Sequence, residues 1–207
     1  MKTRKRLMCI TCLLSFVGVV CLYPSLPDKI PVHFNYRWEV DQYGPKYSAL
    51  LLGILPTVFY LLMELFYTKD NRHEKNHVKV QSIIVYLLIT FNWITLLIAK
   101  NESFRPRRLL LFFFGIMFLL LGNYMPKIRA NYLVGIRTPW TLKSAVVWRR
   151  CHRIGGYLFV IYGFLCLSGS VCEKPRIDYV LMEVLIIMCI FLTMYSYILY
   201  QKESRKN

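Results

Sequence analysis

Two stretches of this sequence carry residues whose types and spacing suit chemistry. The first is the pentad His73, Glu74, Lys75, Asn76 and His77. On a helix, histidines four apart share a face and can ligate zinc together while the intervening glutamate acts as base on a metal-bound water, as in zinc peptidases. The pentad sits in a polar connector, TKDNRHEKNHVK, with no apolar flank to hold rigid ligands and no third ligand at a recognisable spacing. Glu64 and His152 are the nearest candidates for one. A solvated connector is the expected reading, and a metallopeptidase using His73, Glu74 and His77 is the alternative.

The second stretch covers residues 122–156, GNYMPKIRANYLVGIRTPWTLKSAVVWRRCHRIGG, with seven Lys and Arg residues and no acid. Pro126 opposes further helix, and Gly135 and Pro139 shape a turn across NYLVGIRTPW. Thr141 or Ser144 is placed to cap a short helix bearing Val146, Val147, Trp148 and Ile154 among Lys143, Arg149, Arg150 and Arg153. Aromatic and aliphatic residues interleaved with cations describe an amphipathic segment at a membrane surface. Gly155 and Gly156 then allow a bend or a close helix approach. Arg137 stands between backbone-restricting neighbours, where its planar fork suits bidentate pairing. Glu64, another helix end, a lipid phosphate and a protein ligand all remain open as its partner.

The elements that position these stretches are membrane spans. The chain has 207 residues, 56% of them hydrophobic and 15% aromatic, which exceeds what a soluble domain of this size encloses. Six runs approach the length of about 20 residues that crosses hydrocarbon as helix: residues 7–23, 48–67, 80–99, 109–124, 154–171 and 179–200. They lack the alternation of spanning strands. The fold class is therefore all-α, a polytopic membrane helical bundle of about six transmembrane helices with the amphipathic segment between the fourth and fifth. It reads as one domain, 1–207, with an N-terminal part at 1–100 and a second part at 109–200. The basic start of the first run resembles a secretory signal, but its length and the lack of a small-residue cleavage site argue for a retained helix.

With the N-terminus cytoplasmic, 18 of the 27 Lys and Arg residues fall on the inner side, a positive-inside bias that also places the C-terminus inside. The same bias, with attraction to anionic lipids, accounts for the net charge of +16 without direct nucleic acid binding. Seven cysteines, an odd number, form no disulfide framework. Residues 24–47 make the longest outer loop, broken by Pro24, Pro27 and Pro31, with a turn expected at Tyr43-Gly44-Pro45 and Trp38 suited to the interface. This ordered aromatic loop is a candidate ligand surface. Glu64 and Glu183 lie near span ends, where snorkelling is expected. Asn101-Glu102-Ser103 matches the glycosylation sequon but lies too close to the membrane to count.

The second stretch resembles the signature of the SdpI family of bacterial membrane immunity proteins, N-x-x-x-G-x-R-T-P-W-T-L-x-S followed by W-x-x-x-H-R-x-G-G. Here Asn131, Gly135, Arg137, Thr138, Pro139, Trp140, Trp148, His152 and Arg153 carry it, with Thr141, Leu142, Ser144, Gly155 and Gly156 also in place. The loop sequence LPDKIPVHFN is similar to the outer-loop domain of unknown function that often accompanies the family. Two departures stand out: Trp38 occupies a position usually held by glycine, so that the turn must be built differently, and Ala145 and Val146 replace common acidic residues.

The resemblance implies a non-enzymatic protein of the bacterial cell membrane that gives resistance to a secreted, membrane-active peptide toxin. It needs no cofactor and no catalytic residue. His33, Phe34, Asn35, Trp38 and Asp41 would meet the toxin, and the inner signature would engage a partner, by family analogy a repressor of the ArsR type in a signal-transducing role. A small-solute or lipid transporter is a further alternative from the six-span layout.

Overall fold

The computed structural model describes residues 2–65, 74–101, 106–132, 134–172, 174 and 176–205, the side chains of residues 2 and 74–77 excepted. Among the described residues, seven α-helices and one two-stranded sheet form in chain order: α1 (Lys2–Leu22), β1 (Lys29–Phe34), β2 (Val40–Pro45), α2 (Ser48–Leu65), α3 (Glu74–Lys100), α4 (Arg107–Tyr124), α5 (Pro139–Lys143), α6 (Ala145–Val171) and α7 (Arg176–Ser204). Six of these helices are long and apolar enough to cross a membrane. Only 22–44% of the most apolar window of each is buried, so most of that apolar surface requires hydrocarbon around it. This is a multi-pass membrane protein. Cys9, Cys12, Cys21, Cys151, Cys166 and Cys189 are free thiols.

The chain divides into two compact units, Met1–Arg107 and Arg108–Asn207. In the first, α1 ends where Pro24 follows Tyr23 in a single 3-10 turn, and the Ser25 hydroxyl donates to the Leu22 carbonyl at 2.8 Å. Trp93 of α3 reaches α1, its indole N–H donating to Ser15 Oγ at 3.0 Å, while Gly18 lets the ring lie against the α1 backbone. Gln81 of α3 donates to the Tyr60 carbonyl of α2 at 3.2 Å. Glu64 is paired with Lys5 of α1 at 2.9 Å, both side chains about a quarter exposed. The carboxylate thus finds its counter-charge within the helix group instead of relying on snorkelling alone.

Residues 24–47 contain a β-hairpin that the all-helical expectation did not include. β1 and β2 pair antiparallel, from Lys29 opposite Pro45 to Phe34 opposite Val40, with irregular register around His33. The bend expected at Tyr43-Gly44-Pro45 is instead part of β2, and the chain reverses at residues 35–39. Asn35 makes that turn: its Oδ1 accepts from the backbone N–H of Arg37 at 2.8 Å and of Glu39 at 3.1 Å. Its own N–H donates to the Glu39 carbonyl at 2.9 Å. Ile30, fully buried, seats the hairpin in a core with Val19, Leu26, Ala49, Leu96 and Ala99.

Within this turn Trp38 has φ 64, the left-handed region that glycine enters without steric cost. The asparagine's hydrogen bonds hold the tryptophan there. Trp38→Gly is therefore expected to relieve about 1 kcal/mol of backbone strain, offset in part by the greater freedom of glycine in the unfolded chain. Thermal unfolding of the purified protein measures the difference, and a lowered midpoint would show that Trp38 packing outweighs the strain.

The second unit is organised on α4 and α6, which run antiparallel and touch at two glycine pairs. A Cβ on Gly122 would lie 2.8 Å from the Gly156 carbonyl oxygen, and one on Gly163 would lie 2.8 Å from that of Gly115. Seven residues separate the glycines on each helix, two turns, so both contacts fall on one face. Between them Phe118 packs edge-on against Phe159 and Tyr162, at 5.1 and 4.7 Å between ring centroids. Tyr162 ties α6 to α7 by donating to the Leu181 carbonyl at 3.1 Å.

The expected surface helix ahead of a Gly155-Gly156 bend is not a separate element. Residues 145–153 are the first turns of the 27-residue α6, which runs through both glycines. Their lack of side chains serves close packing: a Cβ on Gly155 would meet Ile136 at 2.5 Å, and one on Gly156 would meet Pro126 at 3.1 Å.

Candidate functional site

The signature residues converge on the loop after α4 and on the start of α6. Trp148 is 1% exposed and His152 is fully buried. One helical turn apart, they share a face, and their rings stack with centroids 4.0 Å apart and planes at 18°. The Trp148 indole N–H donates to the Ile128 carbonyl at 2.8 Å, pinning the loop to the helix.

His152 completes the closure. Its Nδ1 lies 2.9 Å from the Trp148 carbonyl, which can only accept, so Nδ1 carries the proton. Nε2 is then the acceptor, and the Ile136 backbone N–H donates to it at 3.1 Å. Both nitrogens are committed, one to the helix and one to the loop, which leaves neither free for a metal or for proton transfer.

Gly135 passes over this pair with φ +120, and a Cβ there would stand 2.3 Å from His152 Nε2 and 3.2 Å from the Trp148 ring. Glycine is required twice, by its dihedral angle and by the space. Asn131 braces the loop: its Oδ1 accepts from the Val134 N–H at 2.7 Å and its Nδ2 donates to the Arg129 carbonyl at 2.7 Å.

The next residues lock α5 in place. Thr138 is the N-cap of α5, with Pro139 following in the first turn and a reciprocal capping box to Thr141. Thr141 is fully buried, and its hydroxyl also donates to the Ile136 carbonyl at 2.8 Å. From this short helix three contacts reach α7. Thr138 Oγ1 lies 3.0 Å from Ser196 Oγ, Trp140 packs edge-on against Tyr197 at 5.1 Å, and Ser144 Oγ bonds Glu203 Oε2. Ser144, one of the two caps expected, is the N-cap of α6 and accepts from the Val147 N–H at 3.2 Å.

The sequence-predicted partner residues thus separate into two sets. Asn131, Gly135, Thr138, Trp148 and His152 build the joint, while Pro139 and Trp140 position α5. Arg137 and Arg153 are exposed, together with Lys143, Arg149 and Arg150. Arg137 Nη1 donates to the Tyr132 carbonyl, a contact within its own loop. The joint holds these cations on a fixed scaffold, so the arrangement suits recognition of an anionic group more than chemistry on a substrate. Sequence reasoning did not find Ser196, Tyr197 or Glu203, because their role depends on the register of α7 against α5.

In the other unit, the predicted loop residues cluster at the hairpin end. His33 Nδ1 and Asp41 Oδ1 pair across the strands at 2.6 Å, Asn35 and Trp38 form the turn, and half-buried Phe34 closes β1. His73 lies outside the described residues, and Glu74 and His77 are described only as backbone at the start of α3. Among the described residues, no group of three or more His, Cys, Asp and Glu is placed to hold a metal ion.

Residues 127–196 match the SdpI/YfhL protein family. That span opens one residue before Ile128, which anchors Trp148, and closes on Ser196, which holds Thr138. Residues 10–56, covering most of α1, the hairpin and the first half of α2, match the Domain of unknown function (DUF1648). Immunity protein SdpI of Bacillus subtilis (strain 168) is 26% identical over 190 residues, covering 91% of this chain and 92% of the relative. No solved structure matches the chain. Through residues 127–196, this multi-pass membrane protein is similar to the SdpI/YfhL family, and it is similar to Immunity protein SdpI along nine-tenths of its length.

Proposed function

We propose that the protein is an immunity protein, non-enzymatic, that protects the cell carrying it against a membrane-active peptide toxin. The observation that carries this reading is the match to Immunity protein SdpI across nine-tenths of both chains. The geometry supports it: His152, buried in the joint, has both ring nitrogens occupied by backbone groups. The positive-inside bias supports a cell-membrane location with both termini cytoplasmic. In that orientation the hairpin faces the side from which a secreted peptide arrives, with His33, Phe34, Asn35, Trp38 and Asp41 at its tip. The exposed cations around Arg137 and Arg153 then face the cytoplasm, toward anionic lipids or an acidic partner surface. A repressor of the ArsR type fits this role only through a patch away from its basic DNA-reading face, since like charges repel.

Survival of a sensitive Gram-positive strain against a cannibalism-type peptide toxin, with and without this protein at matched membrane expression, tests the reading. Protection is expected. Arg137→Ala is expected to reduce it with a change in stability of only about 1 kcal/mol, the worth of one exposed side-chain hydrogen bond. Unchanged survival of the Arg137 variant would remove Arg137 from the site, and no protection by the parent protein would remove the proposed function for that toxin.

A further inference from the structure

At the end of the α6–α7 pair away from the signature, the two helices part around a cleft of about 350 Å³. Leu165 of α6 and Ile177, Val180 and Val184 of α7 supply apolar wall, and Lys174 and Arg176 line it as well. The two cations sit at the level where the spans end, since α6 stops at Val171 and α7 begins at Arg176. Both are exposed. Asp178, in the first turn of α7, is 4% exposed, and neither it nor Glu183 is among the residues lining the cleft.

An apolar slot that opens at a helix end beside two cations matches one kind of membrane component. We propose that the cleft binds a single anionic phospholipid, with an acyl chain between α6 and α7 and the phosphate against Lys174 and Arg176. Inside a bilayer the acyl chain gains little from leaving other chains, so its contribution is shape and packing. Selectivity therefore rests on the headgroup. The Arg176 guanidinium offers a fork matched to phosphate oxygens, and a basic pocket between helices at headgroup depth favours an anionic over a zwitterionic lipid. The site is distinct from the cationic signature face, which lies at the opposite ends of the same two helices, and it stands independently of the immunity reading.

Native mass spectrometry of the full-length protein in detergent, with phosphatidylglycerol or phosphatidylcholine added at equal concentration, tests the proposal. The expected result is one retained phosphatidylglycerol in preference to phosphatidylcholine. K174Q/R176Q should lower that preference by about five-fold per cation, whereas R149Q/R150Q should leave it in place. Val180→Trp, which fills the cleft, should reduce retention of both lipids. Melting of each variant without added lipid checks that it is folded. Equal preference in the parent and in folded K174Q/R176Q would overturn the proposal, as would a loss produced equally by R149Q/R150Q, since that would place the lipid at the signature end.

Discussion

Trp148→Ala is expected to lower the stability of the purified protein by about 3–5 kcal/mol, the range for removing a buried aromatic side chain. The physical reason is the joint. The substitution empties a site that is 1% exposed, removes the stacking partner of His152 and leaves the Ile128 carbonyl without its donor. Trp148→Phe separates these terms, because it keeps most of the ring and loses only the indole hydrogen bond, a cost nearer to about 1 kcal/mol plus imperfect packing. Thermal unfolding in detergent ranks the three proteins, and limited proteolysis of the loop after α4 reports whether the loop has come off α6. A Trp148→Ala protein that melts with the parent would show that the ring is not the keystone of the joint. Loss of protection in that variant should track the amount of folded protein, in contrast to Arg137→Ala, whose effect should appear at normal folded levels.

The second large effect is expected at the glycine pairs of α4 and α6. Gly122→Leu places a Cβ 2.8 Å from the Gly156 carbonyl oxygen and 2.9 Å from the Val160 nitrogen. Both are backbone atoms that no rotamer change moves, so the helices must separate. Association of spanning helices depends on close packing, since lipid chains are as apolar as the side chains they replace. Overpacking of this kind costs about 1–3 kcal/mol and occasionally more, and Gly122→Leu should fall at the upper end. Gly169→Ala provides the comparison. Its Cβ meets only side-chain atoms, Leu181 Cδ1 at 3.1 Å and Ile177 Cγ2 at 3.2 Å, which can shift. Unfolding midpoints should therefore order as parent, Gly169→Ala, Gly122→Leu. A Gly122→Leu protein as stable as Gly169→Ala would mean that α4 and α6 do not depend on this approach.

The two departures from the family pattern have different standing in the structure. At Trp38 the side chain occupies a backbone conformation natural to glycine, and Asn35 supplies the bonds that keep it there. At Ala145 and Val146 the acids are missing just where α6 begins. Glu203 of α7 instead brings a carboxylate to the Ser144 cap, a favourable place for negative charge at a helix N-terminus.

What the sequence by itself determined is what composition and local pattern can carry. Apolar runs of membrane length predicted six helices because backbone groups in hydrocarbon must pair within their own segment. Ser144 was legible as a cap and Pro126 as a helix stop because both act on neighbours a few residues away. The motif around Arg137 was likewise readable as a string and led to the family. Only the tertiary structure decided which signature residues face inward. Trp148 among Arg149, Arg150 and Arg153 read as a surface helix, yet Trp148 and His152 lie four apart on one face and the arginines point away from it, so the same segment is half core and half surface. The hairpin was equally hidden, since Pro31 and Gly44 argue against strands until Ile30 finds its core and Asn35 builds the turn. Thr138 with Ser196 and Ser144 with Glu203 are 58 and 59 residues apart, and no local propensity couples positions so distant. Their pairing follows from the register at which α7 packs beside α5 and α6.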